Sequence, residues 1–318
     1  KENEAVDQVV RGDIGVISRL SHTQTFDTLS DKGKDVKLVG IDLPTPVFAL
    51  AVTPSTQADL DKMADSLSRI TEEDPTLEIE RNAATSETIL HGLGDIHVDL
   101  AIERIARKFD VNLDTALPSI PYRETVIGQT SVSYKHKKQS GGRGQYGHVV
   151  LEISPAKAGE GITFGSKVVG GNVPKDYIPS VEKGVRNAAI GGVVAGFPVV
   201  DVAVMLTDGS SHSVDSSGMA FEIAGSMGFR QAVRDAKPTL LEPVLKLKIL
   251  SPDDCAGDVM GDLSSRRARI GGMEPKGMGL TEITAEAPAS MMQRYAADLR
   301  SLTKARGDFT AVLDHYEP

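Results

Sequence analysis

Three side chains with acid, base and nucleophile character stand close together in the run Asp208-Gly209-Ser210-Ser211-His212-Ser213-Val214-Asp215-Ser216-Ser217-Gly218. A hydrolytic triad could in principle be drawn from Asp208, His212 and Ser210. Such triads are defined by spatial geometry rather than by sequence proximity, and no nucleophile elbow lies nearby. A metal site would require more His, Cys or carboxylate ligands than the single strong candidate, His212. The local chemistry suits structure better: Asp208-Gly209 reads as a turn, and Asp215 with Ser216 and Ser217 as the N-cap of a following helix. The expectation is no catalytic residue and no metal in this run, with an exposed imidazole at His212.

A second run, Gly142-Arg143-Gly144-Gln145-Tyr146-Gly147, has the spacing of a dinucleotide fingerprint. That fingerprint needs a helix after it, so that the helix N-terminus meets the pyrophosphate. Here the β-branched stretch 149–153 follows, which is a strand. The glycines therefore form a turn between two strands. Lys135, His136, Lys137, Lys138 and Arg143 flank it, and no acidic residue occurs from Thr125 to Val150. Fixed positive charge beside exposed glycine backbone can approach phosphate closely. A solvated basic hairpin without a partner is the alternative; charge segregation favours RNA contact. No G-x-x-x-x-G-K-[S/T] occurs anywhere, so the chain has no recognisable P-loop.

The charge is segregated along the chain. The formal net charge is −9. Residues 1–121 carry 12 basic and 22 acidic side chains, a net of −10. Residues 122–241 carry 13 and 10, a net of +3, and residues 242–318 carry 10 and 12, a net of −2. The middle segment is the one suited to a polyanion. Aromatics are 4% with no Trp, which argues against a base-stacking single-strand binder. Hydrophobic residues at 40% and charged residues at 25% fit a globular chain of several domains. No apolar run of membrane-spanning length and no signal-peptide core is present, and Cys255 has no partner for an intrachain disulfide, so the cytosol is expected.

Two stretches share one order of elements. The first is strand 47–52, helix 55–71, strand 76–81, strand 87–91, helix 95–109 and strand 111–114. Leu60, Met63, Ala64, Leu67 and Ile70 give its first helix an apolar stripe, and Pro75 stops that helix. The second is strand 244–250, helix 255–266, strand 268–274, strand 279–285, helix 290–303 and strand 308–314. Both are βαββαβ, the ferredoxin-like unit. Between them the pattern changes to an α/β domain: strand 149–153, helix 176–190, strand 198–206 and helix 219–235. Residues 1–20 read as strand material, the tail of a barrel or sandwich, with a disordered N-terminal extension as the alternative. The expected fold is therefore α+β and multidomain, with two ferredoxin-like units flanking an α/β domain. His97 falls on the second helix, behind a plausible N-cap at Asp95. Arg266, Arg267 and Arg269 cluster at a helix end, where the dipole or a phosphate partner explains them equally well.

The residues then carry a resemblance. GGRGQYGHV at 141–149, PKDYIPSVEKG at 174–184, DGSSHSVDSSGMAF at 208–221, LLEPVLKLKI at 240–249, GDLSSRRARIGGMEPKG at 261–277 and YAADLRSLTKARGDF at 295–309 resemble elongation factor G. So do RITEEDPT at 69–76, GLGDIHVDL at 92–100 and PYRETV at 121–126. The resemblance implies residues 1–45 as the end of β-barrel domain II, 46–121 as domain III, 122–241 as domain IV of the ribosomal protein S5 domain 2-like type, and 242–318 as domain V. It implies a ribosome-binding portion of a translational GTPase whose domain IV tip enters the A site, meeting ribosomal RNA, tRNA and messenger RNA, and ribosomal proteins. GTP and magnesium would belong to a GTPase domain outside this chain, which is expected to be monomeric and without catalysis of its own. The implied contact residues are Lys135, Lys137, Lys138, Gln139, Gly142, Arg143, Gln145, Tyr146, Ser210, His212 and Asp215 at the tip, with Arg266 and Arg267 in domain V. His97 would relay between domains. Ser211 stands where the family commonly has Tyr and Gly218 where it has Glu, and the arm Ser133-Tyr134-Lys135-His136 is unlike the usual one. These departures leave a paralogue in ribosome recycling or protection as an alternative.

Overall fold

A computed structural model describes residues 5–20, 22–34, 36–82, 84–139, 144–170 and 172–318. The first module comprises β1 (Phe48–Pro54), α1 (Gln57–Glu73), β2 (Glu78–Asn82), β3 (Glu87–Gly92), α2 (Asp95–Phe109) and β4 (Leu113–Ala116). Its sheet order is β2-β3-β1-β4 with antiparallel pairings throughout, the ferredoxin-like arrangement. Helix α1 starts because Thr56 caps it, its hydroxyl accepting from Asp59 N–H, and it ends at Asp74 before Pro75. Leu67 and Ile70 are buried as the periodicity predicts, but Leu60 is exposed and Asp59 faces inward instead. The Asp59 carboxylate accepts from the Thr56 hydroxyl and from Asn112 N–H, so hydrogen bonding turns the first turn away from the apolar stripe.

The middle domain comprises β5 (Arg123–Val126), β6 (Thr130–Lys138), β7 (Gln145–Pro155), β8 (Ile162–Ser166), α3 (Ile178–Ile190), β9 (Val202–Ser210) and α4 (Gly218–Asp235). Strands β6-β7-β9-β8 form one sheet, with β8 parallel to β9 and the other pairs antiparallel. Val149, Leu151, Ile153, Val204 and Leu206 bury one face of it with Val181, Val185, Phe221 and Phe229 of the two helices. Those helices meet backbone to backbone: a Cβ on Gly184 would lie 2.0 Å from the Glu222 carbonyl oxygen. Strands β5 and β8 were not legible in the sequence. The run Asp208-Gly209, expected as a turn, lies within β9.

The last module comprises β10 (Pro238–Pro252), α5 (Ala256–Ser265), β11 (Arg269–Gly277), β12 (Leu280–Pro288), α6 (Ala289–Met292), α7 (Tyr295–Leu302) and β13 (Asp308–Glu317). Its order, β11-β12-β10-β13, repeats that of the first module. The single helix expected over 290–303 is broken between Met292 and Tyr295. The boundary expected at 241/242 falls inside β10. That strand pairs with β5 through 238–241 and with β12 and β13 farther on.

The first and last modules share one apolar cluster, which runs from Phe48, Leu90 and Ile105 to Leu247, Leu263 and Leu299. Arg300 Nη1 donates to Asp95 Oδ1 at 2.8 Å across the same junction. Asp95 is the first residue of α2 rather than its cap, a position filled by Gly94. The strands expected in 1–20 do not form among the described residues: positions 5–46 hold turns, and Ile14 is fully exposed. A strand needs a ladder partner and a face to bury, and no neighbouring strand offers either to this segment. No helix among the described residues is long and apolar enough to cross a membrane.

Glu124 of β5 is 1% exposed. Its carboxylate accepts from the backbone N–H groups of Val193, Val194, Ala195, Gly196 and Phe197 at 2.7–3.2 Å. Burial opposes its charge, but these five donors outweigh burial and hold the carboxyl below its usual range. A depressed folded pKa stabilises above the unfolded value of about 4.3, and that contribution is lost as pH falls through the folded value. Glu124→Gln is expected to lower stability by about 2–4 kcal/mol at pH 7, because an amide NH2 would face backbone donors. Urea unfolding checks this, and the gap between variant and parent should narrow below about pH 4.

Candidate nucleic-acid interface

The two loops singled out by their residues are dozens of positions apart in sequence and meet at one end of the middle sheet. Strand β6 delivers Lys135, Lys137 and Lys138, all exposed, and β7 returns through Gln145 and Tyr146. The loop after β9 delivers His212 and Asp215 to the same place. Gly144 N–H donates to Asp215 Oδ1 at 3.0 Å, and Tyr146 N–H donates to the Asp215 carbonyl at 2.8 Å. The Ser216 hydroxyl donates to the Tyr146 carbonyl at 3.0 Å and accepts from His212 N–H at 2.9 Å. Asp215 and Ser216 therefore latch one loop to the other. A Cβ at 144 would sit 3.0 Å from Asp215 Cγ, so any other residue there would require the Asp215 side chain to shift. Ser217, not Asp215 or Ser216, caps α4 by accepting from Ala220 N–H.

The His212 side chain is 53% exposed. Its Nδ1 accepts from the N–H groups of Val214 and Asp215 at 3.3 and 3.2 Å. An acceptor Nδ1 leaves the proton of the neutral ring on Nε2, on the solvent side of the loop. The rings of His212 and Tyr146 lie 6.2 Å apart. Together with Lys137, Lys138, Gln139, Gly144, Gln145 and Asp215 they line a shallow cleft of about 210 Å³. Gln145 is held from behind by His136, with Oε1 and Nε2 3.0 Å apart. Lys135, Lys137 and Lys138 have no ion pair among the described residues, so their charge faces outward. Gly142 and Arg143 lie outside the described residues.

The hydrolytic geometry is not assembled. Ser210 Oγ contacts the Tyr146 hydroxyl at 2.8 Å and His148 Nδ1 at 2.9 Å rather than His212. Asp208 accepts from Asn172 Nδ2 at 3.0 Å, and that bond, with one from Gly209 N–H, holds its carboxyl below the usual range. His212 Nδ1 accepts from backbone donors, and the carboxylate beside it is that of the latch, Asp215 Oδ2 at 3.4 Å, so Asp208, His212 and Ser210 form no relay.

The other expected contact residues have partners inside the fold. His97 Nδ1 accepts from Leu93 N–H at 3.1 Å, and its Nε2–H donates to Asp74 Oδ2 at 3.0 Å. It ties α2 to the end of α1 within one module. The bridge between modules is made two residues earlier, by Asp95. Arg266 is 18% exposed in its side chain and donates to Asp262, Asp298 and the Met291 carbonyl. Arg267 pairs with Glu242 through two bonds of 2.9 and 2.8 Å, and Arg269 with Glu317. This arginine run braces the last module. Sequence reasoning missed Glu124 and His148. Glu124 stands between Arg123 and Thr125 in PYRETV, and nothing local marks it as buried.

Three family models match consecutive stretches of the chain. "Elongation Factor G, domain III" matches residues 43–116, "Elongation factor G, domain IV" residues 118–237, and "Elongation factor G C-terminus" residues 239–318. A curated relative, elongation factor G of Jannaschia sp. (strain CCS1), is 45% identical over 315 residues, covering 99% of this chain and 44% of the relative. A crystal structure from Thermus thermophilus is similar with a TM-score of 0.78 at 38% identity, covering 91% of this chain and 43% of that one. The chain thus spans less than half the length of these relatives.

If the Asp215 carboxylate holds the loops together, Asp215→Ala should speed hydrogen exchange at the Gly144 amide about 5- to 10-fold, the worth of one hydrogen bond. The Tyr146 amide, whose acceptor is backbone, should keep more of its protection. Equal loss at both amides would show that the side chain is not the latch.

Proposed function

The chain belongs to the elongation factor G family over that family's domains III, IV and C-terminus, and from this we propose that it is the ribosome-binding part of a factor that moves tRNA and messenger RNA. The observation that carries the reading is the latched tip: outward lysines and an exposed imidazole on a finger whose supporting body is acidic. Such a tip can approach ribosomal RNA while the body, bearing like charge to phosphate, does not adhere to RNA elsewhere. Occupying the A site beside the tRNA–mRNA pair is a steric act and needs no bond made or broken by this chain. The partners are ribosomal RNA, the A-site tRNA and messenger RNA, and ribosomal proteins, in the cytoplasm.

Translocation by this family would draw on GTP hydrolysis. The residues here do not fit a nucleotide site, for they include no P-loop sequence. GTP and magnesium would be held outside this chain, and the chain itself is read as a non-catalytic monomer. The departures beside the tip support a second reading, a paralogue acting in ribosome recycling or protection. At Gly218, where the family commonly has Glu, a Cβ would stand 3.0 Å from Ser180 Oγ, so the usual residue would require Ser180 to shift.

His212→Ala in the intact factor should slow tRNA movement and leave GTP hydrolysis unchanged; a variant that splits ribosomes poorly but translocates normally would favour the second reading. Neutralising Lys135, Lys137, Lys138 and Arg143 should weaken ribosome binding and flatten its dependence on salt. An unchanged salt slope in a binding titration would refute RNA contact by this arm.

A further inference from the structure

Four side chains form an unbroken hydrogen-bonded chain on the open face of the middle sheet. Ser133 Oγ of β6 lies 2.9 Å from His148 Nε2 of β7. His148 Nδ1 lies 2.9 Å from Ser210 Oγ of β9, and Ser210 Oγ lies 2.8 Å from the Tyr146 hydroxyl. The register makes this possible, since His148 pairs directly with Ser210. A one-residue irregularity between Val150 and Leu151 turns the end of β9 so that Ser210 meets the imidazole. Tyr146 is the end of this chain nearest the tip, beside the His212 ring.

Each hydroxyl can donate once and accept, and a neutral imidazole has one donor and one acceptor. The chain therefore has two self-consistent senses. In one, the Ser133 hydroxyl donates to Nε2, Nδ1–H donates to Ser210 Oγ, and the Ser210 hydroxyl donates to the Tyr146 oxygen. The Tyr146 proton is then free to point outward. In the other, every bond is reversed: Tyr146 donates to Ser210, Ser210 to Nδ1, and Nε2–H to Ser133. The Tyr146 oxygen can then only accept from a ligand. An imidazolium donates from both nitrogens, so protonation removes the second sense and frees the Ser210 hydroxyl hydrogen to donate to the Tyr146 oxygen, which favours the first.

We propose that His148 is a positioning residue that acts through Ser210 to set the hydrogen-bonding sense of the Tyr146 hydroxyl, and that protonating His148 makes this hydroxyl an outward donor to an RNA oxygen. The charged groups facing His148 are Lys135, its cross-strand neighbour on β6, and Asp208 on β9. Tyr146 and, farther along, Glu152 are the titratable groups on its own strand, while α4 packs on the opposite face, against Val149 and Leu151. Burial, with Lys135, pushes the imidazole below its ordinary range, and Asp208 pulls the other way. His148 is thus neutral at pH 7, with both senses open to it, and the donor form gains population as pH falls.

The consequence for RNA rests on the ribosome-binding reading; the relay does not. It is tested first on the full chain alone, by following the His148 ring nitrogens and the Tyr146 ring carbon next to the hydroxyl by NMR between pH 5 and 8. In the parent, the Tyr146 signal should move with the His148 midpoint. Ser210→Ala should abolish that movement while His148 still titrates, and Ser210→Thr, which keeps a hydroxyl, should restore it. A Tyr146 signal that ignores His148 in the parent, or follows it unchanged in Ser210→Ala, overturns the proposal. Ribosome affinity should then rise about 3- to 10-fold as pH falls through the same midpoint, the worth of one hydrogen bond. That step should be absent in Ser210→Ala and in Tyr146→Phe, and its survival in both would overturn the link to RNA. A chain that binds ribosomes at no pH would instead sink the functional reading, leaving the NMR result to decide the relay.

Discussion

Strand β10 belongs to two sheets at once, and the orientation of the finger follows from that. Its first residues pair with β5 of the middle domain, and the remainder forms the centre of the last module between β12 and β13. Rotating one body against the other would break ladder hydrogen bonds that have no alternative partners. The junction is braced on both sides. The Arg123 guanidinium stacks 3.9 Å from the centre of the Tyr316 ring, and the Tyr316 hydroxyl donates to the Pro121 carbonyl. Glu124, next in sequence, gathers the loop at 193–197 around a single buried carboxylate. The middle domain is therefore tied to the last module, and that module is tied to the first through Arg300 and the shared apolar cluster.

Charge is placed according to what each site must do. In the last module the arginines of the run 266–269 pair within the fold, where the planar guanidinium can hold two or three acceptors in fixed geometry. At the tip the cations are mainly lysines without ion pairs among the described residues, each a compact charge on a flexible stem. The Gly144 amide, rather than a lysine, donates to the acid of the latch. Asp215 thus fixes the loops without neutralising any of the lysines around it.

Imidazoles serve separate ends in this molecule. His97 and His136 orient a neighbouring polar group, His212 presents Nε2–H to solvent, and His148 joins two hydroxyls across three strands. What distinguishes them is which ring nitrogen is already occupied by a backbone donor. That occupancy fixes the tautomer of His97 and of His212, whereas His148 has only reversible hydroxyl partners.

Periodicity and punctuation in the sequence determined both βαββαβ modules, the change of pattern between them, and helix α2 to the residue. Those features are local: apolar spacing sets which face is buried, and Pro or Gly sets where an element stops. The gathering of lysines toward the end of the strand that became β6 was equally legible. Tertiary structure alone decided the rest. Leu60 lost its inward place to Asp59 because Asn112, 53 residues away, supplies a donor. The arginines at 266 and 267 turned to internal carboxylates, and Asp208 entered a strand instead of a turn because β7 was there to pair with it. The strands expected in 1–20 do not form among the described residues, because a β pattern specifies an alternation but not the neighbour that would complete its ladder. Hydrogen-bond partners brought together across dozens of residues have no signature at either position, and the latch, the buried glutamate and the His148 chain each depend on such partners.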